Sequence, residues 1–316
     1  MQRCLELAAL GLGRVQPNPM VGAVLVVDEK IIGEGWHRRY GHAHAEVDAL
    51  NSVQNPELLR KATLYVNLEP CSHFGKTPPC ADAIIAAQIP TVVIANVDTN
   101  VKVNGTGIQK LKAAGIEVIT GILEKEGYEL NRRFFTYHTQ KRPYIILKWA
   151  QTKDGFMDIL RTPDRDADSY WITNSQLRTI THKWRSEEDA IVVGYNTLIN
   201  DKPQLNTRFF PGKTPHRFVM KRNEQESSLC EGFDILPNHP EKALEILYQQ
   251  KIQSVIIEGG AKTLSLFIES GLWDEARVLI GDQQWGEGVQ APSLCEIPDE
   301  EVCVLNNKIQ YVRRHL

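Results

Sequence analysis

Four side chains in one short stretch have the types and spacing for joint chemistry: His44, Glu46, Cys71 and Cys80. One imidazole and two thiols can hold a Zn²⁺ and leave the fourth tetrahedral position for water, the pattern of a catalytic rather than a structural zinc. A zinc held in this way lowers the pKa of that water towards neutrality, so that hydroxide is available at pH 7. Glu46 lies two residues from His44, off the metal, where it can shuttle protons. Each residue alone has an ordinary alternative, as a buried thiol or a core histidine. All four in this order favour the metal. A structural zinc would need a fourth protein ligand such as His42 or His73, and would leave Glu46 idle. His42 precedes the helix expected to carry His44 and Glu46, which sets it apart from the set.

The elements around these residues follow from apolar periodicity and turn signals. An opening helix over 4–10 ends at Gly11 and Gly13. Pro17-Asn18-Pro19 breaks helix and forms a loop. Strands are expected at 24–27 and 31–36, joined by the turn Asp28-Glu29-Lys30. Residues 44–51 read as a helix, 64–68 as a strand that delivers Glu69-Pro70-Cys71, and a second helix starts at Cys80. Both cysteines are therefore expected at or near a helix start, where the dipole favours thiolate. Strand 91–95, helix 108–114 and strand 116–119 complete an alternating α/β unit. Asn18, Asp98 and Asn100 fall in loops at strand ends, where ligands bind, although each also suits a plain turn.

Residues 131–142 are polar and basic, and Pro143 resets the chain. This places a boundary between a domain of residues 1–143 and one of residues 144–316. In the second domain, strand 144–150 leads to the turn Asp154-Gly155, and a helix capped by Asn174 or Ser175 runs to Trp184-Arg185. Strand 190–194 is followed by a loop carrying Thr197, Asp201, Pro203, Leu205 and Arg208. Residues 213–236 are weakly patterned, with a strand near Phe218-Val219 alone; helix 241–250, strand 254–258 and a late strand at 276–280 follow, and 302–305 with 310–312 read as a terminal hairpin. Glu258-Gly259-Gly260 then opens a helix, a geometry that lets phosphate approach backbone N–H groups at a positive dipole end, though Gly-Gly after a strand is often only a turn. No G-x-G-x-x-G follows a strand, so an ordinary Rossmann site is not supported. Lys148, Arg185 and Arg208 are candidate anion holders.

Composition narrows the partners. A chain of 316 residues has room for two domains with cores of their own. The formal net charge of -3 gives no global attraction to nucleic acid, so an anionic small substrate would be held by local Lys and Arg. Six cysteines without a secretory signal argue against a disulfide framework and for a reducing cytoplasm, and no apolar run reaches membrane-spanning length.

The motif His44-x-Glu46…Pro70-Cys71 resembles that of zinc deaminases, H-x-E…P-C-x-x-C, except that eight residues separate the cysteines instead of two. With Pro17-Asn18-Pro19-Met20-Val21-Gly22 and the Thr77-Pro78-Pro79 before Cys80, it looks like the family of bifunctional riboflavin-biosynthesis deaminase–reductases. The resemblance continues through Arg142-Pro143-Tyr144, Leu147-Lys148, Asp154-Gly155, Trp171-Ile172-Thr173, Asp201-Lys202-Pro203 and Glu258-Gly259-Gly260. It implies a cytidine-deaminase-like α/β/α domain followed by a dihydrofolate-reductase-like α/β domain. The first would replace the 2-amino group of a diaminopyrimidinone ribosylamine phosphate with oxygen. The second would use NADPH to reduce the ribose to a ribityl chain.

By this resemblance His44, Cys71 and Cys80 are zinc ligands, Glu46 the proton shuttle and Asn18 a substrate contact. Ser169, Arg185, Leu205, Arg208 and Glu258 match substrate contacts of the reductase, with Lys148 near the ribose. Gln151, Trp171, Thr197, Asp201, Gly260 and Ala261 match its NADPH contacts. Gln151-Thr152-Lys153 stands where the family more often has Ala-Ser-Leu, and the segment from Arg208 to Glu258 is short. The partners implied are a small phosphorylated pyrimidine and a second copy of the chain, with no nucleic acid or membrane. A nucleic-acid base deaminase with a fused binding domain is the rival reading. It predicts a basic face with interleaved aromatics, which the net charge of -3 opposes. A non-catalytic zinc-stabilised module is the third, and gives Glu46 no role.

Overall fold

Two sheets, each centred on largely buried apolar strands, organise the chain. The computed structural model describes residues 1–74, 78–99, 104–160, 171–222 and 226–314. The chain divides into two compact units, Met1–Gln140 and Lys141–Leu316.

In the first unit, helix α1 (Gln2–Ala9) precedes the hairpin of β1 (Gly22–Val27) and β2 (Lys30–Trp36). Helix α2 (Ala45–Asn51), β3 (Thr63–Leu68), α3 (Cys80–Ala86), β4 (Thr91–Asn96), α4 (Thr106–Ala113), β5 (Glu117–Thr120), α5 (Glu124–Leu130) and α6 (Arg132–Gln140) follow. The five strands are ordered β2-β1-β3-β4-β5, with β3, β4 and β5 parallel. Their inward residues Leu25, Leu64, Val66, Val92 and Ile94 pack with Ala45 and Ala49 of α2 and Ala81 and Ile84 of α3. Small alanines let both helices lie close against the sheet, which fixes the ends that carry His44 and Cys80. The 131–142 segment, expected only as a polar and basic stretch, is largely helix α6. Its Phe134 and Phe135 are buried against Leu68, and Arg133 is buried with them.

The second unit holds an eight-stranded sheet ordered β10-β9-β8-β11-β6-β12-β15-β14. Its elements are β6 (Tyr144–Gln151), β7 (Phe156–Asp158), α7 (Ser175–Glu187), β8 (Ala190–Gly194), α8 (Tyr195–Asp201), β9 (His216–Lys221), β10 (Asp234–Pro237), α9 (Pro240–Gln249), β11 (Ser254–Ile257), α10 (Ala261–Glu269), β12 (Glu275–Ile280), β13 (Val289–Gln290), β14 (Glu300–Val304) and β15 (Asn307–Arg313). The strands from β10 to β12 are mutually parallel, and β15 and β14 close the sheet antiparallel. The central strands β8 and β11 are buried along their whole length, as parallel strands covered on both faces must be. Three elements correct the sequence reading. Thr197 and Asp201 sit on helix α8, not on a loop. Strand β10 was not anticipated, because four residues ending in proline make a weak edge strand. The small β7–β13 sheet likewise carried no period of its own.

Candidate active sites

His44 is the N-cap of α2, with extended backbone (φ -74°, ψ 163°), and its ring is not used in capping. The ring turns towards the sulfurs instead: Nδ1 lies 3.2 Å from Cys80 Sγ and 3.6 Å from Cys71 Sγ. The three ligand atoms all fall within 4.8 Å of one another. Cys80 is the first residue of α3 and fully buried. Cys71 is not at a helix start of its own; it follows β3. Its sulfur nevertheless accepts the Cys80 backbone N–H at 3.3 Å, so it shares the positive end of α3. That arrangement separates the two thiols. The Cys80 thiol's hydrogen bond to the Cys71 sulfur draws Cys71 well below its ordinary range, with the Cys80 backbone N–H adding to it, and that same side-chain bond, then burial, pushes Cys80 up. The Cys71 contact in turn raises His44. One imidazole and two sulfurs already gathered at this spacing are a fitting donor set for zinc.

Glu46 is 3 % exposed. Burial, and then the neighbouring Cys71, push its carboxyl up to about 7, the range in which a side chain both takes and gives protons at neutral pH. The second nearby carboxylate, Glu69, is used structurally. Its oxygens accept backbone N–H bonds from Asp98, Gly105, Gly107 and Ile108 at 3.2, 2.9, 2.9 and 3.1 Å. A Cβ on Gly107 would lie 2.0 Å from the Pro70 carbonyl oxygen, so α4 packs directly on the backbone that presents Cys71. Asn18 Nδ2 lies 3.0 Å from Nε2 of His37, whose Nδ1 lies 3.0 Å from the Ala43 carbonyl. The His37 ring meets that of His44 edge-on at 5.4 Å. Sequence reasoning passed over His37; its place directly after β2, two residues from Gly35, is the signal that it borders the site. Asn100 lies outside the described residues.

In the second unit, register brings the charged residues together. Leu147 pairs with Ile257 across β6 and β11, so Lys148 and Glu258, one residue further on, become neighbours. Lys148 Nζ donates to Glu258 Oε2 at 3.4 Å. Arg185, on α7, donates to both oxygens of Glu258, from Nε at 2.9 Å and Nη2 at 2.8 Å. Burial works to raise the Glu258 carboxyl, but the charges of Arg185 and Lys148 outweigh it and hold the group at about 2. Burial lowers the Lys148 ammonium against the pull of Glu258. Arg185 Nη1 also reaches the Asn206 carbonyl at 3.3 Å, tying α7 to the loop that carries Leu205 and Arg208. The Leu205 side chain belongs to the core, and its backbone is left-handed (φ 50°). Arg208 Nη1 donates to Asn206 Oδ1 at 2.9 Å.

The cofactor residues named from sequence fall in part around one cleft of ≈ 730 Å³. Thr197, Gly260 and Ala261 line it, with Tyr195, Arg222 and Lys262 added by the structure. The Gly260 N–H donates to Thr197 Oγ1 at 3.0 Å, joining α8 to the start of α10. A Cβ on Gly259 would lie 2.5 Å from the Thr263 Cβ, which is why this helix start needs glycine. Gln151, at the end of β6, accepts from Trp149 Nε1 at 2.7 Å, and Trp171 is 55 % exposed; neither lines the cleft. Asp201 closes α8. Ser169 lies outside the described residues.

Fold and sites define a zinc deaminase of the cytidine-deaminase type joined to a reductase. Residues 1–96 match the cytidine and deoxycytidylate deaminase zinc-binding region, and residues 143–312 match the RibD C-terminal domain. The riboflavin biosynthesis protein RibD of Aquifex aeolicus is 41% identical over 329 residues, covering 93% of this chain and 89% of its own. RibD of Escherichia coli is 35% identical, covering 95% and 91%. Among solved structures, the diaminohydroxyphosphoribosylaminopyrimidine deaminase/5-amino-6-(5-phosphoribosylamino)uracil reductase of Thermotoga maritima superposes with a TM-score of 0.87 at 36% identity, covering 99% of this chain and 97% of that one. Acinetobacter baumannii RibD gives 0.88 at 33%, with the same coverages. The chain belongs to the RibD family: it is a bifunctional deaminase–reductase of riboflavin biosynthesis, with zinc and NADPH as the cofactors of its two halves. The reading as a nucleic-acid base deaminase is not favoured by these relationships. Among the described residues, no helix is long and apolar enough to cross a membrane.

Proposed function

We propose that the first unit removes the 2-amino group of 2,5-diamino-6-(5-phosphoribosylamino)pyrimidin-4-one, and that the second reduces the ribosyl group of the product to ribityl with NADPH. The carrying observation is the pairing of a preformed His44–Cys71–Cys80 donor set with a buried Glu46 whose carboxyl is poised near neutrality. His44, Cys71 and Cys80 hold the zinc, which when bound acidifies a water and so supplies a nucleophile at neutral pH. Glu46 accepts the water proton, gives it to the ring nitrogen, and serves the departing amine in the same way, so that water and a C–NH₂ group become a carbonyl and ammonia. Asn18, with His37 behind it, borders the substrate.

In the second unit Thr197, Gly260, Ala261 and Asp201 receive NADPH along the start of α10, where unpaired N–H groups suit its phosphates. Trp171 and Gln151 stand towards the nicotinamide end. NADPH held there would supply a hydride to C1 of the opened ribosylamine, whose C=N bond would become single as the nitrogen gains a proton. Lys148 and Glu258 flank the ribose, while Arg185, Arg208 and the Leu205 backbone orient the rest of the substrate. The chain works in a reducing cytoplasm, as a homo-oligomer, on a free nucleotide-like substrate. Incubation with the diaminopyrimidinone, with and without NADPH, tests the whole scheme. Ammonia should appear without NADPH, and NADPH oxidation should require the deaminated product. Absence of ammonia release from zinc-loaded protein overturns the first assignment. NADPH oxidation that ignores the deaminated product overturns the second.

A further inference from the structure

Helix α7 carries a stripe that the reductase scheme uses only in part. Arg178, His182 and Arg185 are four and three residues apart, which sets them on one face of the helix. Arg185 is accounted for by Glu258. The other two are not. His182 is 2 % exposed, and its Nδ1 is buried without a hydrogen-bond partner. Arg178 Nε is buried without a partner as well. Two such orphans within one turn of each other call for a reason, because buried polar nitrogens are nearly always paired.

Phe209 gathers the cluster. The His182 ring meets it edge-on at 4.9 Å, the Arg208 guanidinium lies 4.8 Å from its centroid, and that of Arg178 lies 5.5 Å away. Arg178 also sits 4.5 Å over the Trp171 ring. Arg208 is held by the neutral amides of Gln204 and Asn206. The charged groups acting on His182 are Arg185 on its own helix, Arg208 from the loop after α8, Lys148 from β6, and Glu258 after β11. Glu258 is the single carboxylate among them, and it is already bonded to Arg185 and Lys148. Burial, then Arg185 and Arg208, pull the His182 imidazole down to about 4, so the ring is neutral in the free protein. Among the described residues, these cations gather with no acid beyond the already engaged Glu258, an arrangement that suits an anion.

We propose that Arg178 and His182 are additional anion-binding residues of the reductase substrate site, and that together with Arg208 they hold a phosphate monoester on the substrate. This rests on the reading of the second unit as a reductase of a phosphorylated substrate. The arriving dianion supplies the acceptors that the two nitrogens lack and reverses the field at His182. The ring then takes up a proton as phosphate docks. Its contribution to binding therefore grows as pH falls, because the free-state imidazole is neutral and the bound-state imidazole is charged.

The test compares the deaminated substrate with its phosphate-free analogue in native protein and in the R178Q, H182Q and R208Q variants, with NADPH as second substrate. Charge-assisted bonds to phosphate set the scale. R178Q should raise KM for the phosphorylated substrate about ten- to a hundredfold, leaving KM for the phosphate-free analogue and for NADPH unchanged. H182Q should show a smaller rise at pH 7.5 and a larger one at pH 6. Equal losses for both substrates, or a change confined to the KM of NADPH, would overturn the proposal; the latter would assign the pocket to cofactor phosphates. Calorimetric titration of the deaminated substrate without NADPH, in two buffers of different ionisation enthalpy, provides a reading on unmodified protein. Native protein should take up more protons than H182Q, and no difference between them counts against the role of His182. If native protein oxidises no NADPH with the deaminated substrate, the reductase reading fails and this inference falls with it. If native protein is active and R208Q alone loses phosphate selectivity, only the inference about Arg178 and His182 fails.

Discussion

Arg142 grips Asp274 with two parallel hydrogen bonds, Nη1 to Oδ2 at 2.6 Å and Nη2 to Oδ1 at 2.7 Å. Asp274 Oδ2 also accepts the Ile145 N–H at 2.8 Å, so this bidentate pair pins the entry of β6 to the residue just before β12. A second unit cut at residue 144 loses the clamp; one cut at residue 141 keeps it. We expect the 141–316 fragment to fold and to oxidise NADPH with deaminated substrate. Loss of this largely buried bidentate pair costs about 1–3 kcal/mol. At about 2–4 °C per kcal/mol for a unit of this size, the 144–316 fragment should melt about 2–12 °C lower. Equal melting temperatures would remove the clamp from the account. Failure of soluble 141–316 to bind NADPH, while intact E46Q still reduces deaminated substrate, would show the two halves to be interdependent.

Metal content checks the donor set. Native protein should carry about one zinc per chain, and Cys71→Ser and Cys80→Ser should each lose most of it, because two remaining ligands do not make a tight site. Full zinc retention in both variants would sink the assignment.

Glu46→Gln separates metal binding from proton transfer. Zinc should stay, since Glu46 is not among the three gathered ligands. Ammonia release should fall by at least about a hundredfold, the lower range of general acid–base contributions. NADPH oxidation with deaminated substrate should be untouched. Near-normal ammonia release from zinc-loaded E46Q would contradict the role.

Glu258→Gln leaves Lys148 and Arg185 facing a neutral amide. NADPH oxidation should fall sharply while ammonia release continues. Breaking a buried ionic cluster costs about 3–5 kcal/mol, so the reductase unit should melt earlier at pH 6. The pH dependence has a definite sign. The Glu258 carboxyl is held at about 2 in the folded chain, below the ordinary 4.5, so its stabilisation is complete above the ordinary value and is lost as pH falls towards 2. The gap in melting temperature between native and E258Q protein should therefore narrow from pH 6 to pH 3. A gap that stays constant would mean that the ionised carboxylate is not the source of the stability.

The deaminase site was legible because its residue types are rare and its spacing short. His44 and Glu46 share α2, and Cys71 and Cys80 flank one loop, so local order already encodes proximity. In the reductase unit Lys148 and Arg185 stood out as candidate anion holders, but their grouping with Glu258 at one site was legible only through resemblance. Lys148, Arg185 and Glu258 come from β6, α7 and the end of β11, and meet only once β6 and β11 are in register. Nothing local marked Arg178 or His182, whose meaning depends on Phe209 and Arg208 some thirty residues on. Elements were missed where propensity was weak or masked by charge. Helix α8 has the residues Asn196, Thr197, Asn200 and Asp201, all poor helix formers, and is secured by the buried Leu198. Helix α6 hides two buried phenylalanines among arginines and polar residues.

Glu69 gives the metal loop a second property. Because four backbone N–H groups converge on its carboxylate, the start of the loop at Pro70 is anchored to the residues after β4 and to the start of α4. Tolerance to change should then be lopsided: exposed residues further along the loop, such as Phe74 (78 % exposed), can vary without moving the Cys71 sulfur. Position 107, remote from the chemistry in sequence, admits no side chain at all without pushing the Pro70 carbonyl and the sulfur beside it. Directed evolution would thus find freedom at the exposed part of this loop and none at position 107.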